Sequence, residues 1–96
     1  MMFLVLARDR PGALEARLQH RQRHIDYWTG KPGTVKVAGA MLAGDTPEGS
    51  AFLIEAEDEA AVRALIAADP FAIEGIFAPE PQIQAIRPAI GAWLPA

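Results

Sequence analysis

Two arginines and a histidine recur at helical spacing in the run LEARLQHRQRH, residues 14–24. On a helical wheel of about 100° per residue centred on Leu14, Leu18 and Trp28 belong to the apolar stripe. Arg21 falls inside this stripe, and Arg17 and His24 fall on one flank of it. A guanidinium on the core side of a helix needs an acidic partner, because a stranded buried charge strongly destabilises a fold. The spacing therefore predicts a buried or half-buried polar site that an acidic residue from another part of the chain completes.

Asp69 is the acidic residue that best fits this site. The other candidates lie at the end of a predicted strand or the start of a predicted helix, where water reaches them: Glu55, Glu57, Asp58 and Glu59. Asp69 instead follows the apolar end of the second predicted helix, and Pro70 restricts its backbone. We therefore expect Asp69 to face Arg21, His24 or both.

A histidine paired with an aspartate in a cleft lined by arginines is suited to removing a proton from a small anionic or phenolic substrate. The carboxylate of Asp69 would hold the tautomer of His24, while Arg17 and Arg21 would bind the substrate and stabilise its negative charge. A structural alternative stays open, in which Arg21 extends along the surface to solvent and His24 is an ordinary satisfied histidine. Both alternatives predict similar packing, so spacing alone does not separate them.

No metal site and no cofactor site are expected. His20 and His24 form an H-x-x-x-H pair, which on a helix can present two imidazoles to one ion. The glutamate of an HExxH motif is missing between them, and the chain has no cysteine. The GKPG stretch at residues 30–33 lacks the preceding strand and following helix that a phosphate-binding loop requires, so it is interpreted as a turn.

Hydrophobic periodicity predicts the elements that must position these side chains. Strands are expected over residues 3–7, 34–42, 50–56 and 83–86, and helices over residues 13–28 and 58–68, with Asp58 as the N-cap of the second. The segment GDTPEGS, residues 44–50, is typical of a turn or hairpin loop. The order β-α-β-β-α-β predicts an α+β, ferredoxin-like fold in which two helices cover one face of a four-stranded antiparallel sheet.

Length and charge limit the class of protein. At 96 residues, the chain is expected to form a single domain over residues 1–96, in which residues 89–96 are a C-terminal tail containing Trp93. The net charge of −3 disfavours nucleic-acid binding. No apolar run approaches the roughly 20 residues of a membrane span, and the N-terminal MMFLVLA is followed at once by charged residues. We therefore expect a cytoplasmic protein without a nucleic-acid or membrane partner.

The first strand also predicts a homodimer. Its residues are apolar on both sides, so the sheet face turned away from the helices should be covered as well. The same face of a second copy is the simplest cover, packed sheet against sheet. Cover by the tail is the weaker alternative, because so short a segment supplies little of the ~800 Å² that each partner buries in a standard interface.

Several stretches of the chain are similar to a known family. They are ARDRPGA, LEARLQHRQRH, VAGAMLA, EAEDEAAVRALIAADPF and IQAIRP, and the most specific elements are Arg17, Arg21, His24 and the Asp69-Pro70-Phe71 triplet. Together they resemble the YciI-like, or YCII-related, family of small proteins with the dimeric α+β barrel fold. The resemblance implies a homodimer whose active site is built around His24 and Asp69. The chain departs from the family pattern at Gly39-Ala40, where the family often has Gly-Pro.

Two functions stay open at this point. The family that the chain resembles includes a dehydrochlorinase of a chlorinated hydroxyhydroquinone, and such chemistry would fit a histidine that removes a proton. The first hypothesis is thus a small lyase- or isomerase-like enzyme with His24 as general base and Asp69 as the residue that orients it. The second is a non-catalytic small-ligand-binding or accessory module that uses the same cleft.

Overall fold

A four-stranded antiparallel sheet forms the frame of the molecule. The computed structural model describes residues 1–92, with the elements β1 (Met2–Arg8), α1 (Leu14–Thr29), β2 (Val35–Ala43), β3 (Thr46–Glu55), α2 (Glu59–Ala67), α3 (Pro70–Ile73) and β4 (Gln82–Ile86). The strand order is β2-β3-β1-β4, and all neighbouring strands are antiparallel. This confirms the predicted α+β, ferredoxin-like fold. Trp93 and the rest of the predicted tail beyond residue 92 lie outside the described residues.

Strand β1 buries one face and exposes the other. Phe3, Val5 and Ala7 alternate toward the helices and are buried, whereas Leu4 between them is 46% exposed. Phe3 and Val5 pair with residues of β3 that are buried on the same side, so the core lies between the sheet and the helices. The predicted cover on both faces of β1 is therefore not provided by the described residues of one chain.

An apolar row crosses the uncovered side of the sheet. Val37 of β2 pairs with Leu53 of β3, which pairs in turn with Leu4 of β1. Val37 and Leu4 are each 46% exposed. We refer to the side of the sheet that carries these three residues as the open face.

The hairpin predicted over residues 44–50 is present, but its turn is shorter than predicted. Strand β3 begins at Thr46, and Gly44 and Asp45 alone connect it to β2. Gly44 has a φ of +60°, which suits the first position of a two-residue hairpin turn. Pro47 fits into the paired strand because the ladder has an irregularity opposite it, beside Leu42.

Two aspartates begin the helices of the second half. Asp58 accepts a hydrogen bond at 2.8 Å from the backbone N–H of Ala61, which confirms it as the N-cap of α2. Asp69 follows the end of α2 and caps a further short helix, α3, that the sequence analysis did not predict. Pro70 occupies the first turn of α3, where its missing N–H costs nothing.

Helix α1 is rotated from its predicted orientation. Leu18, assigned to the core stripe, is 57% exposed, whereas Arg17, assigned to the flank, is only 4% exposed. Arg21, predicted to lie on the core side, is exposed. The flank turns inward because its polar side chains find buried acidic partners, described below, and because Trp28 is buried with them. No helix among the described residues is long and apolar enough to cross a membrane.

The N-cap of α2 can be tested by mutation. Asp58→Ala is expected to lower the free energy of unfolding by about 1 kcal/mol, because it removes the acceptor for an otherwise unpaired helical N–H. Urea denaturation would measure the change. Glu57→Ala, at the neighbouring exposed position, is the control and should leave stability nearly unchanged. Equal losses in the two variants would contradict the capping role.

Candidate functional site

A fully buried carboxylate, that of Asp69, forms the base of the site. It accepts hydrogen bonds from His24 Nδ1 and Trp28 Nε1 at 2.8 and 2.7 Å, both to Oδ2. Its Oδ1 accepts the backbone N–H of Phe71 at 2.8 Å. Burial, and to a lesser extent the charge of Asp69, raise the pKa of the nearby Tyr27 phenol. Asp69 thus ties α1 to the start of α3 through two side chains and a backbone group.

His24 is held in one tautomer by this carboxylate. A carboxylate is an acceptor, so Nδ1 of His24 carries the hydrogen and donates it to Asp69. The side chain is 13% exposed, and Nε2 has no hydrogen-bond partner within residues 1–92. In that range, every buried side-chain nitrogen or oxygen has a hydrogen-bond partner. Since Nε2 has none, it is not buried, and solvent reaches it. Its lone pair is therefore available to accept a proton.

Aromatic rings fix the plane of the imidazole. The ring of His24 stacks on Phe71 with centroids 4.0 Å apart and an interplanar angle of 8°. Phe52 and Phe77 meet it edge-on, with centroids 6.2 and 6.4 Å away. These contacts and the bond to Asp69 leave the imidazole little freedom to rotate.

A second buried network lies beside the first. Arg17 makes a bidentate pair with Asp9, in which Nε donates to Oδ2 at 2.6 Å and Nη2 to Oδ1 at 2.9 Å. Nη2 also donates to Ser50 Oγ at 2.8 Å. The guanidinium carbon lies 4.5 Å from the centroid of the Phe71 ring, which also stacks on His24. One phenylalanine therefore contacts both networks.

Asp9 and Ser50 were not among the residues predicted for the site. Asp9 stands between two arginines in the sequence and resembles a surface residue. Its position nevertheless continues the odd-numbered series of buried residues in β1, from Phe3 to Ala7, and this parity could have placed its side chain on the helical side. Ser50 was assigned to the start of a strand after a loop, so its burial within the sheet was not predicted.

Of the two partners expected for Asp69, the structure brings His24 to it and not Arg21. Three N–H groups already occupy the carboxylate, and Arg21 lies on the exposed side of α1. In the part of the chain that the structure describes, Arg21 has neither an ion-pair nor a hydrogen-bond partner. Arg17 and Arg21 thus differ in kind, because the charge of Arg17 is neutralised by Asp9 and that of Arg21 is available to a ligand.

A cleft of about 380 Å³ opens between α1 and β2. Its walls come from α1, the helical side of the sheet and much of β2: Arg17, Arg21, His24, Ile25, Trp28, Thr29, residues 35–40 and Ser50. All four residues predicted for the site therefore lie together, Asp69 behind His24 and the other three in the cleft wall. A solvent-reached imidazole, an unneutralised guanidinium and a largely apolar wall can bind a small anion and move a proton.

The two histidines of the H-x-x-x-H pair point to different partners. Nδ1 of His20 lies 3.0 Å from Arg23 at the surface, and its Nε2 lies 3.9 Å from Glu74. His24 is directed to Asp69 instead. Within residues 1–92, no group of three or more histidine or acidic side chains could hold a metal ion.

Breaking the buried Arg17–Asp9 pair should destabilise the protein strongly. Asp9→Ala is expected to lower the free energy of unfolding by about 3–5 kcal/mol, because it strands a buried guanidinium. Asp9→Leu combined with Arg17→Met should cost far less, since no unpaired charge remains. The exposed Arg23–Glu74 pair is the control, and Glu74→Ala should change stability by less than about 1 kcal/mol. Equal effects of Asp9→Ala and Glu74→Ala in urea denaturation would contradict the buried pair.

Solved structures with the same fold include one of known activity. The 5-chloro-2-hydroxyhydroquinone dehydrochlorinase TftG of Burkholderia phenoliruptrix, in complex with 2,5-dihydroxybenzoquinone, is 28% identical to this chain. The match covers 91% of this chain and 94% of that chain, with a TM-score of 0.83. No curated protein matches the sequence.

More distant matches share the fold alone. A putative antibiotic biosynthesis monooxygenase of Bacteroides thetaiotaomicron is 21% identical, covering 98% of this chain and 93% of that chain with a TM-score of 0.59. A Nitrosomonas europaea protein of unknown function is 19% identical, covering 99% and 93% with a TM-score of 0.55. These proteins and TftG have the protomer fold of dimeric α+β barrels. The pattern that defines the YCII-related domain matches residues 1–84, and the chain therefore belongs to the YCII-related family.

Proposed function

We propose that this protein is a small lyase-type enzyme in which His24 removes a proton from an anionic or phenolic substrate bound between α1 and β2. This role depends most on the His24–Asp69 pair. The carboxylate holds the hydrogen on Nδ1 at 2.8 Å, and Nε2 keeps its lone pair beside the cleft. A general base needs this combination of a fixed tautomer and an accessible nitrogen.

The two arginines serve the substrate in different ways. Arg21 is exposed in the cleft wall without a described ionic partner, so it attracts an anion and neutralises it once bound. Arg17 is held rigidly by Asp9 and contributes directed N–H groups and a fixed local dipole rather than a free charge. The negative charge that develops when His24 takes the proton is thereby stabilised without reorganisation of the site.

The substrate class follows from the cleft and from the dehydrochlorinase likeness. A volume of about 380 Å³ is in the usual range for small-molecule sites, and the walls contributed by Trp28 and by Ala38 and Ala40 of β2 suit a flat ring. In the reaction class we propose, Nε2 of His24 accepts the proton. The proton comes from a ring hydroxyl of a keto tautomer in which the chlorine-bearing carbon is tetrahedral. The O–H electron pair forms a C=O bond, the neighbouring ring double bond shifts toward the chlorine-bearing carbon, and the C–Cl bond breaks with its electron pair to release chloride. The proton that His24 accepts and the chloride that leaves together amount to the loss of one molecule of HCl from the substrate.

A homodimer through the open face is part of the proposal. The row of Leu4, Leu53 and Val37 is apolar, and two of its members are nearly half exposed in the single chain. Packing this row against the same row of a second copy would bury exposed apolar side chains of three strands at once, and it leaves the α1 side of the cleft outside the interface. The shared fold of dimeric α+β barrel proteins supports the same arrangement.

Substitution of His24 is the first test. His24→Asn should reduce turnover of 5-chloro-2-hydroxyhydroquinone, followed by chloride release, by about 10²- to 10⁴-fold, because the base is lost while a side chain of similar size remains. His20→Asn is the matched control, since that imidazole lies at the surface with Arg23 and Glu74. Turnover that survives in His24→Asn would refute the general base. A wild-type protein that binds such phenols without releasing chloride would instead be the non-catalytic binding module.

The open face can be tested independently. Leu4→Asp should convert the dimer to a monomer in sedimentation velocity, because like charges would meet across the two-fold axis. Ile73→Asp on α3 is the control, as it also places a charge on an exposed apolar residue but on the helical side. A wild-type monomer, or a Leu4→Asp dimer as stable as the wild type, would contradict the proposed interface.

A further inference from the structure

The hydroxyl of Ser50 has a hydrogen without a described acceptor. Ser50 is 1% exposed, and its Oγ accepts a hydrogen bond from Arg17 Nη2 at 2.8 Å. That bond uses a lone pair of the oxygen and leaves the O–H free to donate. Within residues 1–92, Ser50 Oγ donates to no acceptor. A buried hydroxyl normally uses its donor, so this O–H is the unsatisfied member of the Arg17 network.

The surroundings of Ser50 leave the cleft as the place for that acceptor. Its neighbours on the same side of the sheet are Ala7 of β1 and Ala40 of β2, whose methyl side chains accept no hydrogen bond. Arg17, above it, is a donor only. Ser50 is itself part of the cleft wall, together with His24. The hydrogen can therefore reach a ligand in the cleft.

We infer that Ser50 is a substrate-contact residue whose O–H donates a hydrogen bond to an oxyanion of the ligand, with Asp9 and Arg17 as the residues that position and polarise it. The location of the ligand rests on the proposed function, but the role of Ser50 in binding does not require turnover. Donation from a guanidinium to Oγ makes the O–H a stronger donor. Asp9 fixes the guanidinium through two bonds, so the direction of the whole chain of hydrogen bonds is set before the ligand arrives.

This arrangement narrows the substrate class to ring compounds that carry an oxyanion on the side of the ring facing Ser50. A donor buried beside methyl groups discriminates against a ligand that lacks the acceptor, because the O–H would stay unpaired. A hydrogen bond to a charged acceptor corresponds to a discrimination of about tenfold or more in affinity. Arg21 attracts any anion through its positive charge, whereas the O–H of Ser50 favours only a ligand that places an oxygen acceptor at one position.

Calorimetric titration of two matched quinones separates the role of Ser50 from general effects on the fold. The first probe is 2,5-dihydroxybenzoquinone, which is ionised at neutral pH because it is a vinylogous acid, and the second is 2,5-dimethyl-1,4-benzoquinone, which has methyl groups in place of the oxyanions. Ser50→Ala should weaken the first probe by about tenfold or more and leave the second within about twofold. The ratio between probes cancels any distortion that affects both.

Thr46→Val is the control outside the cleft. Thr46 lies at the exposed start of β3 and does not line the cleft, so removal of its hydroxyl should change neither affinity. Ser50→Cys is the second variant. It keeps a side chain of similar size under Arg17 but replaces the O–H with a weak donor, and it should weaken the dihydroxy probe nearly as much as Ser50→Ala.

The outcomes distinguish this inference from the proposed enzyme. Unchanged binding of the dihydroxy probe by Ser50→Ala and Ser50→Cys, or no binding by the wild type at millimolar concentration, would overturn the inference even if His24-dependent chloride release were found. Weakened binding in both Ser50 variants, with no chloride release by the wild type, would support the inference and overturn the enzyme proposal.

Discussion

The burial of the Asp69 carboxylate governs the arrangement of the helices. A fully buried carboxylate is tolerated only when N–H groups surround it, and here they come from His24, from Trp28 and from the backbone of Phe71. Two of these donors lie one turn apart on α1, and the third begins α3. Helix α1 must therefore turn its His24 side inward, and α3 must start where it does. The orientation of the imidazole follows from the same requirement.

Phe71 joins this carboxylate to the second buried acid. Its backbone N–H caps α3 through Asp69, while its ring contacts both the imidazole of His24 and the guanidinium of Arg17. Arg17, Arg21 and His24 of α1 therefore have different electrostatic roles. Asp9 neutralises Arg17 and Asp69 orients His24, so Arg21 is left as the cation of the cleft wall that no described acidic side chain pairs with. A ligand in the proposed site would thus meet one free charge and two fixed, directed polar groups.

The sequence predicts the order of the elements well, because strands and helices have different hydrophobic periods. The need of a buried cation for an acid also led correctly to the proximity of His24 and Asp69. The same requirement pointed to Arg21 instead of Arg17, because a helical wheel centred on Leu14 places the core on the side of the apolar residues. In the structure, pairing energy outweighs that preference, and Leu18 is exposed while Arg17 is buried. Periodicity does not contain this information, since it depends on where an acid from another strand arrives.

The cleft itself results from small side chains where a core would ordinarily be filled. Ala38 and Ala40 of β2 lie opposite Phe52 and Ser50 on the helical side of the sheet, and Gly39 between them adds no side chain. Helix α1 reaches the sheet through Arg17, which contacts Ser50 and Asp9, and a cleft remains between the helix and the methyl groups of β2 at the sheet edge. Larger aliphatic residues there would bury more apolar surface and increase stability. Their absence beside a fixed imidazole and the Ser50 hydroxyl supports the proposal that this space binds a ligand.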